Sequence, residues 1–225
     1  MKMNTLWALL VVIIIVLLGW WYWASNSGTQ TPTDTATTTP VTINAPDQTL
    51  TLAGGKATLA YSSADFGLAT TSAQVTVTSY IPSCDPDFDY CFYYKGNAYA
   101  GTNFDSAGVR VKTRTDLKTQ NQCLTTPPSG YTNMTPTIAT STDYATATFT
   151  PVGDAGAGHY ASGSLYRLEY SGSCYEFETR IGATQYANYP AGTIQEFTDA
   201  DQATVSSMLM GIVSSLTTAS SSKPF

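Results

Sequence analysis

The stretch SLYRLEYSGSCYEFETRI, residues 164–181, decides the fold. On both sides of the small residues 171–173, bulky apolar residues alternate with charged ones, and residues two apart in a strand lie on the same face. The stretch therefore predicts an antiparallel hairpin with one buried face and one charged face. The apolar face comprises Tyr166, Leu168, Tyr170, Tyr175, Phe177, Thr179 and Ile181.

The charged face of this hairpin offers partners to a second alternating segment. Glu176 and Glu178 share a face with Arg180, and Arg110, Lys112 and Arg114 form a basic stripe elsewhere. Opposite charges across neighbouring strands stabilise a sheet modestly. We expect cross-strand ion pairs on a solvated face.

Short strand-like segments precede the hairpin and are separated by Gly, Pro, Asn and Ser clusters. This pattern predicts a mostly antiparallel sheet. Six such segments are Thr49–Leu52, Ala57–Tyr61, Ala73–Ile81, Cys91–Lys95, Gly108–Thr113 and Tyr144–Thr150.

One helix is predicted near the C-terminus, because apolar residues recur there at helical spacing. They are Val205, Met208, Leu209, Ile212, Val213 and Leu216. Asp199 and Gln202 resemble a capping box at its start, and a shorter helix is expected from Asp116 to Cys123. Strands packed by a C-terminal amphipathic helix predict an α+β domain, with a pure β-sandwich as the alternative.

The N-terminal segment is a predicted membrane anchor. Residues 6–23 are uninterrupted apolar residues, and residues 1–24 are long enough for one transmembrane helix. Lys2 lies at one end and the aromatic run 20–23 at the other, which favours a cytoplasmic N-terminus and an extracytoplasmic C-terminal domain. A cleaved signal peptide is the alternative.

A Thr- and Pro-rich segment, residues 25–47, predicts a disordered linker, so the folded domain is expected at 48–225. The chain carries a net charge of −6. Because nucleic-acid affinity depends mainly on neutralising phosphates, this charge argues against a nucleic-acid partner.

Four cysteines follow the predicted anchor: Cys84, Cys91, Cys123 and Cys174. An even number in an exported domain indicates disulfides, and four cysteines allow three pairings. We favour Cys84 with Cys91 and Cys123 with Cys174. A zinc site with four thiolates is the alternative, although it normally requires short paired spacings.

Few residues suggest catalysis or metal binding. His159 is the only histidine, so a hydrolase would have to use it or a carboxylate pair drawn from Glu169, Glu176 and Glu178. Another hypothesis is a calcium-stabilised module, because CDPDFDYC places three carboxylates at alternate positions. Those candidate ligands are Asp85, Asp87 and Asp89. No cofactor is predicted.

Aromatic residues cluster in CFYYKGNAYAGTNF, residues 91–104. Exposed aromatic side chains can stack on sugar rings or anchor a protein partner. The segment is therefore the predicted recognition surface for a protein or glycan, formed by Phe92, Tyr93, Tyr94, Tyr99 and Phe104.

The segment YRLEYSGSCYEFETRIGATQYANYPAGTIQEF, residues 166–197, resembles the C-terminal part of uncharacterised membrane-anchored proteins from uncultured, reduced-genome bacteria. A sheet closed by a C-terminal helix is also similar, more remotely, to the PsbP-like fold of extrinsic photosystem proteins. That resemblance implies a non-catalytic binding scaffold. Together with the anchor and linker, it leads us to expect a membrane-tethered extracytoplasmic binding module.

Overall fold

The computed structural model describes residues 43–70, 84, 87–141 and 144–218. The predicted anchor, most of the predicted linker and the predicted strand Ala73–Ile81 lie outside these residues. Within them, neither helix has the length and apolar character that a membrane span requires.

Antiparallel strands dominate the described residues and form two sheets. The strands are β1 (Gln48–Thr51), β2 (Ala57–Tyr61), β3 (Phe66–Ala69), β4 (Tyr90–Tyr94), β5 (Phe104–Thr113), β6 (Thr137–Thr140), β7 (Ala145–Gly156), β8 (His159–Tyr170), β9 (Ser173–Thr184) and β10 (Thr217–Thr218). Strands β1, β2 and β10 make a three-stranded sheet, while the other seven make a sheet of order β3-β4-β5-β9-β8-β7-β6.

The predicted hairpin is confirmed and forms the centre of the large sheet. Tyr170 pairs with Ser173, so the turn is the two residues Ser171 and Gly172. Their φ angles of 49° and 74° place both in the left-handed region, as a type I′ turn requires. Both strands extend well beyond the predicted hairpin, which makes β8 and β9 twelve residues long.

The C-terminal helix is also confirmed, as α2 (Asp199–Ser214). Its buried residues pack against β9 and β5 of the large sheet and equally against β2 of the small sheet. The predicted cap was wrong by one residue: Thr198 is the N-cap, and its hydroxyl accepts a hydrogen bond from the Asp201 amide at 3.2 Å. Thr198 takes this place because its extended backbone turns the hydroxyl toward the first helical turn.

Replacing Thr198 with Ala should lower the free energy of unfolding by about 1 kcal/mol, because one amide of the first turn loses its acceptor. Chemical denaturation measures this change. The matched control is Thr204→Ala within the same helix, which should change stability by less than about 0.5 kcal/mol. Equal losses in both variants would show that the cap contributes nothing specific.

The short helix α1 (Gln120–Thr125) overlaps the last four residues of the range predicted for it, Asp116–Cys123, and ends two residues later. Thr119 is its N-cap and forms a capping box with Gln122, so residues 116–118 precede the helix. Helix α1 packs on β7 and β8, on the face of the large sheet opposite to α2. The domain is therefore α+β, as predicted, with α1 packed on one face of the large sheet and α2 on the other.

The folded unit begins a few residues before the expected boundary at residue 48. The Asn44 side chain donates a hydrogen bond to Asp65 at 2.7 Å. The Ser63 amide and hydroxyl both donate to Asp47 at 2.6 Å. The end of the predicted linker is thus bound to the domain.

Candidate functional site

The charged face of the hairpin is buried, so the expectation of a solvated face was wrong. Arg167 is 1% exposed, and Glu176, Glu178 and Arg180 are each 7% exposed or less. We call the charged groups on this face the ionic layer: Arg110, Arg114, Arg167, Glu176, Glu178 and Arg180.

Each glutamate of the ionic layer holds two arginines. Glu176 accepts from Arg167 and Arg114, both at 2.6 Å. Glu178 accepts from Arg180 at 2.6 Å and from Arg110. The predicted pairing of the glutamates with the basic stripe is confirmed for Arg110 and Arg114. The pair between Arg167 and Glu176, which lie opposite each other in β8 and β9, was not predicted.

Helix α1 and the chain after it cover the ionic layer. Arg167 donates to the carbonyl oxygens of Cys123 and Thr126, so its charge lies at the C-terminal end of α1, where a cation is favourable. Arg180 donates to the Tyr131 hydroxyl at 3.4 Å. Alternation along a strand assigns residues to a face but does not indicate what covers that face. The sequence therefore did not predict that the charged face is buried.

Both favoured disulfides are present and hold the covers of this face. Cys123 is bonded to Cys174 and fixes α1 to β9, two residues before Glu176 of the ionic layer. Cys84 is bonded to Cys91 and closes a loop whose Phe88 ring lies 4.1 Å from the Arg110 guanidinium. No free cysteine remains.

Burial and ion pairing act in opposite directions on these arginines. Burial lowers the pKa of Arg167, and the adjacent Glu176 partly offsets that effect. At the rim, the hydrogen bonds between Arg114 and Asp116 raise the pKa of Arg114 and hold the pKa of Asp116 well below its usual range. Arg114 and Asp116 therefore remain charged at neutral pH.

The residues proposed for hydrolysis are not gathered into one accessible site. Glu176 and Glu178 are each bound by two arginines beneath α1, and Glu169 instead accepts from the Gly172 amide at the turn. His159 is partly exposed at the start of β8, with its Nδ1 3.9 Å from Asp105. A hydrolase based on His159 stays a prediction.

Two of the three proposed calcium ligands can be described, and each of them has a partner of its own. Asp85 lies outside the described residues. Asp87 lies 3.8 Å from Lys112, and Asp89 accepts from the Thr113 amide at 2.7 Å. In the described part of the chain, no three His, Cys, Asp or Glu residues are arranged to hold a metal ion.

The predicted aromatic recognition surface was wrong for its central members. Phe92 is 1% and Tyr99 4% exposed, and both belong to the core beneath α2. Tyr93, Tyr94 and Phe104 are half-buried. Tyr99 packs against Phe104 and Phe197 with ring centroids 5.3 and 5.1 Å apart, so most of this cluster stabilises the interior.

Tyr99 should make the domain sensitive to alkaline pH. Burial raises the pKa of Tyr99 to about 12, with smaller effects from Tyr94 and Asp201. Because an unfolded tyrosine ionises near pH 10, the unfolded state loses its proton first, and stability falls as pH rises from about 10 toward 12.

Tyr99→Phe should remove part of this loss. Between pH 8 and pH 11, the free energy of unfolding should fall by about 1 kcal/mol less in the variant than in the wild type. Denaturation at the two pH values measures the difference. Tyr160→Phe, at an exposed tyrosine, is the control. The same pH dependence in wild type and Tyr99→Phe would contradict the role of Tyr99.

A cleft of about 240 Å³ opens between α2 and the β8–β9 hairpin, on the face opposite to the ionic layer. We call it the hydroxyl cleft, because its lining is uncharged and rich in hydroxyl groups. It is lined by Ser162, Gly163, Ser164, Tyr166, Thr179, Ile181, Gln202, Ser206 and Leu209.

Internal hydrogen bonds fix the walls of the hydroxyl cleft. Gln202 of α2 donates to the Ser162 hydroxyl at 3.2 Å and so joins helix to strand. The Ser164 hydroxyl donates to Thr150 at 3.0 Å, and its amide donates to Thr179 at 3.1 Å. The cleft is thus built on two rigid elements with its polar groups already oriented.

The sheet surface beside the cleft is also neutral. Tyr160 lies two residues before Ser162 on the same face of β8 and is exposed. Thr146 and Thr148 of β7 pair with Leu168 and Tyr166, so their hydroxyls lie on this face too. Two further exposed tyrosines, Tyr186 and Tyr189, follow the end of β9.

Sequence reasoning missed the hydroxyl cleft because the predicted hairpin began at Ser164 and so left out residues 159–163 of β8. A usable signal was present. Tyr160, Ser162, Ser164 and Tyr166 alternate at period two, as residues on one face of a strand do. Comparison with known proteins gives no further assignment, since no protein-family model and no curated protein sequence matches the chain. The resemblance to anchored bacterial proteins stays a prediction.

Proposed function

We propose that this chain is a non-catalytic binding module, tethered to a membrane by residues 1–24 and displayed on the extracytoplasmic side. The observation that carries the proposal is the hydroxyl cleft: an open, uncharged site with polar groups held on a helix and a sheet. The ligand is a partner molecule or a component of the cell envelope.

The cysteines support the extracytoplasmic placement. Both disulfides close within the domain and no cysteine remains free. Stable structural disulfides are typical of exported proteins and rare in the cytosol. The position of Lys2 and of the aromatic residues 20–23 supports the same orientation.

The composition of the cleft supports binding without catalysis. Its hydroxyl and amide groups can donate and accept hydrogen bonds to a neutral ligand. The lining includes Ser162 and Ser164 but no His, Asp, Glu, Lys or Cys. A serine nucleophile needs an adjacent general base, and the lining offers none.

Protease treatment of intact cells tests the placement. Proteinase K added outside should remove the domain from cells whose outer envelope has been permeabilised, while the cytoplasmic membrane stays closed. A cytoplasmic marker must survive the same treatment. Digestion of the domain only after membrane lysis would reject the extracytoplasmic orientation.

Photo-crosslinking tests the binding site. Benzoylphenylalanine at Ser206, an exposed residue on the rim of the cleft, should give a discrete crosslinked product in cells that express the chain. The same group at Ser129 is the control, because this exposed residue follows α1 on the opposite side of the large sheet. Equal products from both positions, or none from Ser206, would contradict binding at the cleft.

A further inference from the structure

We infer that the hydroxyl cleft binds an uncharged saccharide chain, which runs along β8 from Tyr166 toward Tyr160. This inference rests on the proposed function and names the ligand class of the same site.

The charge distribution around the cleft selects a neutral ligand. No charged residue lines the cleft. Register places only uncharged residues on this face of the outer strands: Thr137 and Ala139 in β6, and Thr146 and Thr148 in β7. The acidic and basic residues of β8 and β9 lie on the opposite face, in or beside the ionic layer. An ionic ligand would therefore lose hydration here without gaining a counter-charge.

The polar groups match the hydroxyls of a sugar. The Ser162 hydroxyl accepts from Gln202 and keeps its own proton to donate, while Ser206 is exposed at the rim. Hydroxyl and amide groups can act as both donors and acceptors, which suits a ligand whose surface consists of hydroxyls.

Size and aromatic placement indicate a chain and not an isolated large ligand. The cleft volume of about 240 Å³ is below the range of about 300–1,000 Å³ typical of pockets for drug-sized molecules. One side of the cleft continues along β8 to Tyr160, which lies four residues before Ser164. Tyrosine rings offer an apolar face with a polar tip, so Tyr166 and Tyr160 provide two stacking positions on one line.

The test uses the full-length chain in lauryldimethylamine oxide, a detergent without a sugar head group. Fluorescein-labelled hexasaccharides of glucose, mannose and N-acetylglucosamine are titrated and followed by fluorescence anisotropy. A hexamer of galacturonic acid is the charged probe. We expect at least one neutral hexamer to bind and the charged hexamer to bind at least about tenfold more weakly.

Two adjacent serines give a matched pair of variants. Ser206→Trp places a bulky ring in the cleft and should weaken binding at least about tenfold, whereas Ser207→Trp, exposed on the same helix but outside the lining, should stay within about twofold. Gln202→Ala should weaken binding about fivefold, because one oriented hydrogen bond is lost.

The outcomes separate this inference from the proposed function. The saccharide assignment would be overturned by any of three results. The chain could bind the charged hexamer more tightly than the neutral ones, it could bind no neutral hexamer, or Ser206→Trp and Ser207→Trp could weaken binding equally. If crosslinking at Ser206 then still gave a discrete partner, the proposed function would stand with another ligand. If no neutral hexamer bound and Ser206 gave no crosslinked product, both the saccharide ligand and binding at the hydroxyl cleft would be rejected.

Discussion

Arg167→Ala should lower the free energy of unfolding by about 3–5 kcal/mol. The side chain is fully buried, donates to Glu176 at 2.6 Å and donates to two carbonyl oxygens at the end of α1. Its removal leaves Glu176 with one fewer counter-charge and leaves those carbonyls without their donor. Urea denaturation followed by circular dichroism measures the loss.

Lys112→Ala is the matched control for Arg167→Ala. Lys112 lies directly opposite Glu176 in the sheet, but its ion pair is with Asp87 at 3.8 Å, and the Asp87 side chain is 82% exposed. Exposed pairs contribute at most about 1 kcal/mol, so this variant should change stability by less than that. A loss below about 1 kcal/mol for Arg167→Ala would contradict a structural role for the ionic layer.

Removing the Cys123–Cys174 disulfide should cost about 4 kcal/mol, because it closes a loop with a sequence separation of 51 residues. The Cys84–Cys91 bond closes a separation of only 7 residues and should contribute about 2 kcal/mol. Each pair is replaced by two alanines, and thermal or chemical unfolding gives the two losses.

The larger loss should be accompanied by a local effect. Without the bond to Cys174, α1 is no longer fixed to β9, so amides in residues 119–126 should exchange with solvent faster than in the Cys84/Cys91 double variant. Equal stability losses, together with unchanged exchange in α1, would mean that the long disulfide does not hold the cover of the ionic layer.

Local patterns predicted the parts of the fold that depend on local chemistry. The β8–β9 hairpin followed from alternation around a small-residue turn, and α2 followed from its helical apolar spacing. The disulfide pairing was also predicted correctly. Strands β3, β6 and β10 were missed. β3 and β6 have only four residues each and lie at the two edges of the large sheet, and β10 has two residues, so none of them carries a clear alternating pattern of its own.

The candidate site was less predictable, because burial is a tertiary property. The run CFYY resembled an exposed aromatic surface, yet Phe92 pairs with Val109 beneath α2 and is buried. Conversely, Ser162 lay before the predicted hairpin, which began at Ser164, whereas β8 begins at His159 and runs through Gly163. There an added Cβ would lie 1.8 Å from the Thr179 carbonyl oxygen, so only glycine fits this close approach of β8 to β9.

The most direct test of binding at the hydroxyl cleft is hydrogen–deuterium exchange of the full-length chain. Exchange is compared with and without the saccharide pool released from envelopes of cells that express it. We predict slower exchange confined to residues 160–166, 179–181 and 199–209, which contain the cleft. Unchanged exchange there, or protection confined to residues 110–131 on the opposite face, would contradict the account.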